Sequence, residues 1–231
     1  KFGTKVIYTA HGFHFFKGTP FFNWLLYYPV EKYLSKYTDI LITINKEDYT
    51  LSTNKFKAKE NIYIPGVGVD LNEFSFQIKE KKDILREKHC FSSEDFILVY
   101  VAELSNRKNQ SLLIEAVNML ERNIPNIKLL LVGKGDKSNE YSSLIEKYNL
   151  QKKVFLMGYR TDVNEIMSLS DIAVSSSKQE GLPVNIIEAM AIGLPLVVSD
   201  TRGNRDLVVD GSNGFIYPLN DLDSLVKHLL R

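Results

Sequence analysis

Strand-like and helical segments alternate along almost the whole of this 231-residue chain, and this order limits the possible folds more than any other feature. Short apolar runs rich in β-branched residues are each followed by a segment with helical periodicity. The predicted strands are 5–10, 40–44, 61–64, 97–102, 127–133, 154–157, 171–175, 196–199 and 214–216. The predicted helices are 20–36, 46–56, 78–89, 108–122, 138–148, 163–168, 184–192, 204–208 and 221–230. This alternation predicts an α/β fold with parallel sheets and helices on both faces.

The alternation is interrupted between residues 65 and 96. A Pro-Gly-Val-Gly turn is followed there by a linker and a highly charged helix. After the interruption about six strands follow, which is the size of one doubly wound domain. We therefore predict two domains, residues 1–75 and residues 76–231. The first has only three predicted strands, so we expect it to be the C-terminal remnant of a larger N-terminal domain.

The composition argues against several classes of protein. The formal net charge is only +1, whereas nucleic-acid-binding domains usually carry a strongly basic face, so we predict no nucleic-acid partner. The single cysteine, Cys90, precludes an internal disulfide framework and fits a reducing compartment. No apolar stretch approaches the ~20 residues that a membrane span needs. We predict a cytoplasmic protein.

Two glutamates, Glu180 and Glu188, flank the start of the predicted helix 184–192. The loop before this helix contains Gly181, Leu182 and Pro183 and follows the predicted strand 171–175, and Val184 opens the helix. Ligands of open parallel sheets bind beyond the carboxyl ends of strands, and helix N-termini favour phosphate. Carboxylates on either side of a phosphate site suit the hydroxyls of a sugar. The spacing alone is equally compatible with a loop acid and an exposed helical glutamate.

Two further loops are predicted at the same edge of the sheet. Arg107 and Lys108 lie where helix 108–122 begins, a place where basic side chains gain nothing from the helix dipole but can bind an anion. Gly133 and Gly135 end a predicted strand and leave room for a ligand near the backbone. Taken alone, the two cations are compatible with solvated loop charges, and the glycines with a turn.

His11 directly follows the first predicted strand, at a place from which its imidazole can reach a cleft. His14 lies nearby without such a placement, and a buried structural histidine is the alternative for both. An aromatic cluster with interleaved lysines surrounds them. It comprises Phe13, Phe15, Phe16, Phe21, Phe22, Trp24, Tyr27, Tyr28 and Tyr33, with Lys17 and Lys32. The cluster predicts either a core alone or a core with an exposed part that makes peripheral membrane contact.

One metal-like pattern is better explained by helix capping. Asp221 and Asp223 match a D-x-D pattern, but they open the last predicted helix, where an N-cap and a first-turn acid are favourable. We therefore predict no metal and no other cofactor.

These motifs, in this order, resemble the family-4 retaining glycosyltransferases of the GT-B fold over essentially the whole chain. The strongest stretch runs from Gly158 to Gly214 and contains the Glu180/Glu188 pair. Segments 9–15, 43–49 and 64–70 are similar to bacterial capsular and exopolysaccharide members. The resemblance implies a complete C-terminal Rossmann-like domain that binds the nucleotide-sugar donor. It also implies the last part of an N-terminal, acceptor-side Rossmann-like domain, and thus an N-terminally truncated chain.

The resemblance also implies a role for particular residues. Glu180 contacts the donor sugar near the reacting centre, His11 faces that sugar from the other domain, and Glu188 holds the ribose. Lys108 and the backbone N–H groups of residues 181–184 neutralise the diphosphate. Tyr159 and Arg160 lie near the base. Such enzymes typically work without a metal and retain the anomeric configuration.

The implied activity is transfer of a hexosyl or N-acetylhexosaminyl group from a nucleoside-diphosphate sugar, with uridine as the base, to a saccharide or polyprenyl-linked acceptor. The setting is bacterial surface polysaccharide biosynthesis at the inner face of the membrane. Many family members have Gly-Arg where this chain has Ala102-Glu103. Arg107 is the candidate to replace that missing cation. We expect this chain alone to bind donor weakly and to turn over little.

Two other classes stay open. The first is a catalytically weak module that binds a nucleotide-sugar without transferring it, which Glu103 favours. The second is a nucleotide-sugar epimerase of GT-B design. A dinucleotide-dependent dehydrogenase is disfavoured, because no G-x-G-x-x-G opens a helix after the first strand of either domain.

Overall fold

A computed structural model describes residues 3–76 and 79–231. The chain forms two compact units. The first comprises residues Lys1–Gly68 together with Glu180–Leu182, and the second comprises Val69–Gln179 and Pro183–Arg231.

The first unit is built on a three-stranded parallel sheet in the order β1-β2-β3. Its strands are β1 (Ile7–Ala10), β2 (Ile40–Thr43) and β3 (Glu60–Tyr63), and its helices are α1 (Phe21–Leu34) and α2 (Lys46–Lys55). A small core of Ala10, Phe13, Phe15, Leu41 and Phe56 holds the sheet and helices together. Burial of its phenylalanine and leucine side chains stabilises by about 1.5–3 kcal/mol each.

The second unit contains a six-stranded parallel sheet in the order β6-β5-β4-β7-β8-β9. Its strands are β4 (Phe96–Val101), β5 (Ile127–Val132), β6 (Val154–Gly158), β7 (Ile172–Ser175), β8 (Leu196–Ser199) and β9 (Gly214–Tyr217). Its helices are α3 (Lys79–Lys88), α4 (Gln110–Leu120), α5 (Ser138–Lys147), α6 (Val163–Ser168), α7 (Val184–Ile192), α8 (Arg202–Leu207) and α9 (Leu222–Leu229). The strand order builds outwards in both directions from β4 and β7, which is the doubly wound arrangement.

Helices cover both faces of this sheet, because successive residues of a strand point to opposite sides. On β4, Leu98 and Tyr100 join one apolar cluster, and Ile97 and Val99 join the other. Two cores, one on each face, therefore enclose strands that are apolar on both sides. The predicted doubly wound α/β fold is confirmed.

Every predicted strand and helix has a counterpart in the described residues, with small shifts at the ends. Helix α4 begins at Gln110 rather than 108, because Asn109 is left-handed with φ 56°. Helix α8 begins at Arg202 rather than 204, because the Thr201 side chain caps it by accepting from the Asn204 N–H. Helix α1 ends at Leu34 and continues as a 3-10 turn. The predicted start of α3 at Ile78 lies outside the described residues.

Candidate functional site

The second sheet reverses its strand order between β4 and β7, which pair with each other although they are far apart in sequence. The loops that leave these two strands, residues 102–109 and 176–183, start side by side at the carboxyl edge. In open α/β sheets a crevice forms at this switch point, and ligands bind there. The two segments that the sequence analysis singled out separately are the two loops at this place.

Hydrogen bonds join the two loops directly. The Ser176 hydroxyl donates to the Lys108 carbonyl oxygen at 2.8 Å, and the Lys178 N–H donates to the Arg107 carbonyl oxygen at 2.9 Å. The Arg107 guanidinium donates to the carbonyl oxygen of Gln179 at 3.4 Å. The backbone on which both predicted cations stand is thus tied to the loop that follows β7.

The structure brings Arg107 close to the residue that departs from the family pattern. The Arg107 Nη2 lies 3.8 Å from the Glu103 Oε2, and both side chains are about half exposed to solvent, at 47% and 60%. An exposed pair of this kind contributes little to stability. Lys108 is half-buried and lies two residues before α4, so the helix begins beyond it and not at it.

Buried hydroxyl groups form hydrogen bonds with the first residues of the loop after β7 and with the end of the strand. The Tyr100 hydroxyl lies 2.7 Å from the Ser177 hydroxyl, and the Ser199 hydroxyl donates to the Ser177 carbonyl oxygen at 2.6 Å. The Tyr217 hydroxyl donates to the Ser175 carbonyl oxygen at 3.0 Å. Burial is the main cause that raises the pKa of Tyr217, and the electrostatic effect of the neighbouring Tyr100 is the second. The loop start is therefore held in one conformation by neutral hydrogen bonds.

Helix α7 begins at Val184 after the buried Pro183, which offers no side-chain cap. The N–H groups of Ile186 and Ile187 donate to the Pro183 carbonyl oxygen at 3.2 and 3.3 Å. The N–H groups before them are those for which a helix has no intrahelical acceptor, and such groups can donate to an anion. Glu188 lies one turn into this helix and is half-buried. Burial, and secondarily the charge of Glu73, raise the pKa of the Glu188 carboxyl.

Glu180, Gly181 and Leu182 group with the first unit, as does His11. Glu180 is buried, at 7% exposure. At Gly181 a Cβ atom would lie 2.1 Å from the His11 carbonyl oxygen, so a larger residue does not fit. The His11 side chain is exposed, and it lies between the buried Ala10 and Gly12, whose φ is 137°.

The backbone after His11 is fixed by a buried carboxylate. Asp48 accepts a hydrogen bond from the Phe13 N–H at 3.0 Å and one from the Asn45 side-chain amide at 2.8 Å. Asn45 in turn caps α2 by accepting from the Asp48 N–H at 2.8 Å. The sequence pattern alone does not predict this pair.

Gly133 and Gly135 are accounted for by backbone packing. A Cβ atom at Gly133 would lie 2.0 Å from the Ala102 carbonyl oxygen, and one at Gly135 would lie 2.1 Å from the Leu104 carbonyl oxygen. The space that these glycines leave is filled by the loop after β4. Contact of a donor with Gly133 stays a prediction.

Tyr159 and Arg160 follow β6 at the same edge. The Tyr159 side chain is 73% exposed. Arg160 instead donates two hydrogen bonds to the carboxylate of Asp162, at 2.8 and 2.5 Å. This pairing lowers the pKa of Asp162 and occupies the guanidinium, whereas the ring of Tyr159 is open to a ligand.

Two polar residues at this edge were not anticipated. Arg202 and Asn204 follow β8 and are 4% and 0% exposed. The Asn204 amide donates to the Ser199 carbonyl oxygen at 2.8 Å. The sequence feature that could have predicted them is a Thr-Arg-Gly-Asn run directly after a buried strand. Residues 180–184 follow a buried strand in the same way.

Among the described residues one group has the composition of a metal site, with His89, Asp162 and Glu165 within reach of one another. Both carboxylates already pair with cations, Asp162 with Arg160 and Glu165 with Lys88. The group therefore lacks the excess negative charge that attracts a divalent cation. Asp221 caps α9 by accepting from the Ser224 N–H at 2.9 Å, as the sequence analysis expected.

The carboxyl edge of the second sheet thus collects most of the predicted binding residues. They are Arg107 and Lys108 after β4, Gly133 after β5, Tyr159 and Arg160 after β6, and Pro183, Val184 and Glu188 at α7. His11 and residues 180–182 are described with the first unit. Among the helices of residues 3–76 and 79–231, none combines the length and the hydrophobicity that a bilayer span requires.

Sequence comparison places this edge in a known context. Residues 81–231 match the family model of glycosyl transferases group 1. The putative glycosyltransferase EpsD of Bacillus subtilis is 45% identical over 228 residues, which are 98% of this chain and 60% of that protein. The UDP-Gal:alpha-D-GlcNAc-diphosphoundecaprenol alpha-1,3-galactosyltransferase of Escherichia coli is 32% identical over 230 residues, covering 98% and 59%. The chain therefore spans about 60% of the length of these curated relatives.

Solved structures agree on the fold. Anabaena Alr3699/HepE in complex with UDP and glucose superimposes with a TM-score of 0.82 at 22% identity, covering 96% of this chain and 60% of that chain. WaaG, a glycosyltransferase involved in lipopolysaccharide biosynthesis, superimposes with a TM-score of 0.81 at 20% identity, covering 96% and 64%. The GT-B type of fold is confirmed. With the family model matched over residues 81–231, most of its length, the chain belongs to the glycosyl transferases group 1 family.

Proposed function

We propose that the protein transfers a sugar from a UDP-linked donor to a saccharide or polyprenyl-linked acceptor, with retention of the anomeric configuration. One observation carries the donor side of this proposal. The loops after β4 and β7 are joined by the Ser176–Lys108 and Lys178–Arg107 hydrogen bonds at the switch point of a doubly wound sheet, and the loop after β7 leads into α7. A diphosphate at this place meets two basic residues and a helix N-terminus.

The charge balance suits a diphosphate leaving group. Lys108 and Arg107 supply positive charge, and the first N–H groups of α7 supply oriented donors, worth about 0.3–1 kcal/mol from the helix dipole alone. During transfer, negative charge develops on the leaving diphosphate, and fixed donors that are already in place stabilise it without reorganisation. Glu103 beside Arg107 removes part of this charge, so Lys108 is the main cation in this proposal.

The roles of the other residues that contact the sugar donor follow from the resemblance to the family-4 glycosyltransferases. Glu188 accepts hydrogen bonds from the ribose hydroxyls, and the exposed ring of Tyr159 stacks on the uracil base. Glu180 contacts the donor sugar near the reacting carbon, and His11 faces the same sugar. In this proposal neither donor binding nor sugar transfer uses a metal.

The identity of donor and acceptor draws support from relatives. HepE was solved with UDP, and the Escherichia coli relative is named for a UDP-galactose donor and a diphosphoundecaprenol-linked acceptor. By analogy we propose family-4 membership and hexosyl or N-acetylhexosaminyl transfer in bacterial capsule or other surface polysaccharide biosynthesis. We place the reaction in the cytoplasm, at the inner face of the membrane.

A thermal-shift panel of uridine, guanosine and adenosine diphosphates and their sugars tests the donor class. A UDP-sugar at 100 times its dissociation constant stabilises by about 2.7 kcal/mol. A flat response to every compound contradicts the proposal.

The variant Glu180→Ala separates an enzyme from a binding module. We expect loss of transfer with UDP binding retained. A specific observation favours the module as second candidate, namely the exposed Glu103 carboxylate next to Arg107. The test is made in the full-length protein, and there an unchanged phenotype with UDP binding intact would establish the module instead. Interconverted free sugar formed without an acceptor would identify an epimerase.

A further inference from the structure

A buried tyrosine of α5 reaches the loop that carries the proposed main cation. The Tyr141 side chain is only 2% exposed, and its hydroxyl lies 3.2 Å from the Ser105 carbonyl oxygen and 3.1 Å from the Gln110 Oε1. Burial raises the pKa of Tyr141 to about 12, so the hydroxyl keeps its proton at neutral pH and can donate it to these acceptors. The ring belongs to the apolar core on one face of the second sheet, whereas the hydroxyl meets the loop after β4.

The Gln110 side-chain amide has only one orientation that fits its neighbours. Gln110 is 1% exposed, and its Nε2 donates to the Glu103 carbonyl oxygen at 2.7 Å. A carbonyl oxygen can only accept a hydrogen bond, so the Nε2 must face Glu103 and the Oε1 must face the Tyr141 hydroxyl. Tyr141 and Gln110 therefore act as one unit, which holds the backbone of the loop at two places, Glu103 and Ser105.

The Ser105 carbonyl oxygen is the point at which this unit meets the backbone of Lys108. It accepts hydrogen bonds from the Lys108 N–H at 3.1 Å and from the Asn109 N–H at 3.0 Å, in addition to the bond from Tyr141. The Lys108 carbonyl oxygen in turn accepts from the Ser176 hydroxyl. The backbone of Lys108 is thus fixed on both sides, by its own loop at the N–H and by the loop after β7 at the carbonyl.

We propose that Tyr141 is a positioning residue for Lys108 and that Gln110 acts together with it. The two side chains keep the loop after β4 in the conformation that binds the diphosphate of the donor, and their burial keeps them out of contact with the donor itself. This inference rests on the proposed function, because it requires a diphosphate beside Lys108. The alternative is that the Tyr141 hydroxyl only satisfies polar groups at the edge of the core, as buried tyrosine hydroxyls commonly do.

The two alternatives differ in their effect on phosphate recognition. A loosened loop is in its binding conformation for only part of the time, and the apparent affinity for the diphosphate falls by that fraction. The resemblance places the base beside Tyr159 and the ribose beside Glu188, which belong to other segments of the chain. A change confined to the loop after β4 therefore weakens the binding of UDP and spares that of uridine, whereas a general loss of stability affects both ligands alike.

Calorimetry with UDP and with uridine, on the full chain and its variants, tests this proposal. Tyr141→Phe keeps the ring in the core and removes only the hydroxyl. We expect UDP to bind about two- to tenfold more weakly, the range that follows from the loss of one hydrogen bond, while the affinity for uridine is unchanged. A fall of equal size for both ligands, or no fall for either, would assign the hydroxyl to the core alone.

A second variant tests the joint action of the two side chains. Gln110→Met keeps the length of the side chain and removes both hydrogen bonds of its amide, so we expect the same selective loss of UDP affinity. Because both side chains act on one loop, the double variant Tyr141→Phe/Gln110→Met should lose less binding free energy than the sum of the single variants. Additive losses would contradict the joint action.

Tyr148→Phe is the matched control, because Tyr148 directly follows α5 and packs, partly buried, against the same apolar core. It should leave the affinities for UDP and uridine unchanged. A parent chain that binds UDP no better than uridine would overturn the diphosphate proposal and this inference with it. A parent chain that prefers UDP, with the same preference retained in Tyr141→Phe and Gln110→Met, would overturn this inference alone.

Discussion

The hydroxyl of Ser176 donates a 2.8 Å hydrogen bond to the backbone carbonyl oxygen of Lys108, across the switch point of the second sheet. This bond joins the loop that bears the proposed main cation to the loop that leads into α7. The backbone at Lys108 is therefore fixed to the first residue of that loop, although 68 residues separate Ser176 from Lys108 in the chain.

Ser176→Ala tests this coupling. The variant loses a bond worth about 0.5–1.5 kcal/mol, so we expect UDP to bind roughly two- to tenfold more weakly by calorimetry. Ser143→Ala is the matched control, because the Ser143 hydroxyl also donates to a backbone carbonyl, that of Asn139 at 3.1 Å, but on α5. Equal losses in both variants would show that the bond has no particular link to the donor.

Gly133→Ala tests the close approach of the loop after β4. The added methyl group overlaps the Ala102 carbonyl oxygen, at 2.0 Å, and the φ of Gly133 is 143°. Strain and overlap together should lower the free energy of unfolding by about 2–5 kcal/mol in urea titrations. Gly158→Ala is the control, since its φ is 65° but the space around it is open. It should cost only about 1–2 kcal/mol, and an equal cost for both would contradict the packing argument.

Donor binding should depend on the ionisation of Glu188. Its pKa is raised by burial, so UDP-sugar affinity should fall with decreasing pH already above the ordinary range of a glutamate. Glu188→Gln should weaken binding and remove this pH dependence, which isothermal calorimetry at a series of pH values would measure. An unchanged pH profile in the variant would exclude Glu188 as the titrating group.

The same shift has a consequence for the chain without ligand. A raised carboxyl pKa makes the ionised form unfavourable in the folded state. The resulting penalty is full above the raised pKa and disappears as the pH falls to the ordinary value. Glu188→Gln should therefore stabilise the free protein at neutral pH.

Glu165 has the opposite effect on stability, because hydrogen bonds from Lys88 and His89 lower the pKa of its carboxyl. The stabilisation that Glu165 contributes is therefore present above the ordinary pKa of a glutamate, and it is lost as the pH falls through the lowered pKa.

Asp48 should control the backbone beside His11. Asp48→Ala leaves the Phe13 N–H and the Asn45 amide without their acceptor, and a bond to a charged group is worth about 1.5–3 kcal/mol. We expect lower stability and a loss of transfer greater than the loss of UDP binding. Glu47→Ala is the control, because the Glu47 carboxylate accepts from the exposed Lys17 N–H at 3.2 Å. An activity loss as large in Glu47→Ala would argue against a specific role of Asp48.

The helix and strand positions could be predicted because they depend on neighbours in the chain. Apolar periodicity located every strand and helix, with small shifts at their ends. The exceptions are instructive. Asn109 has a left-handed backbone, which moves the start of α4 beyond Lys108, and Thr201 caps α8 two residues earlier than expected. Both depend on local conformations that several residue types can adopt, so the sequence pattern left them open.

By itself the sequence determined the α/β class, the two strand series and the loops that bear Glu180, Lys108 and Gly133, because periodicity and turn residues act over short distances. Only the tertiary structure decided which loops meet, since β4 and β7 pair over a long separation in the chain. It also decided that a carbonyl oxygen fills the space beside Gly133, and that the Arg160 guanidinium is hydrogen-bonded to the Asp162 carboxylate. Finally, it divided one aromatic cluster into a buried part, with Phe13 and Phe15, and an exposed part that includes Phe21, Phe22 and Tyr33. Burial is a property of the packed chain, and identical side chains fall on either side of it according to which helix face meets the sheet.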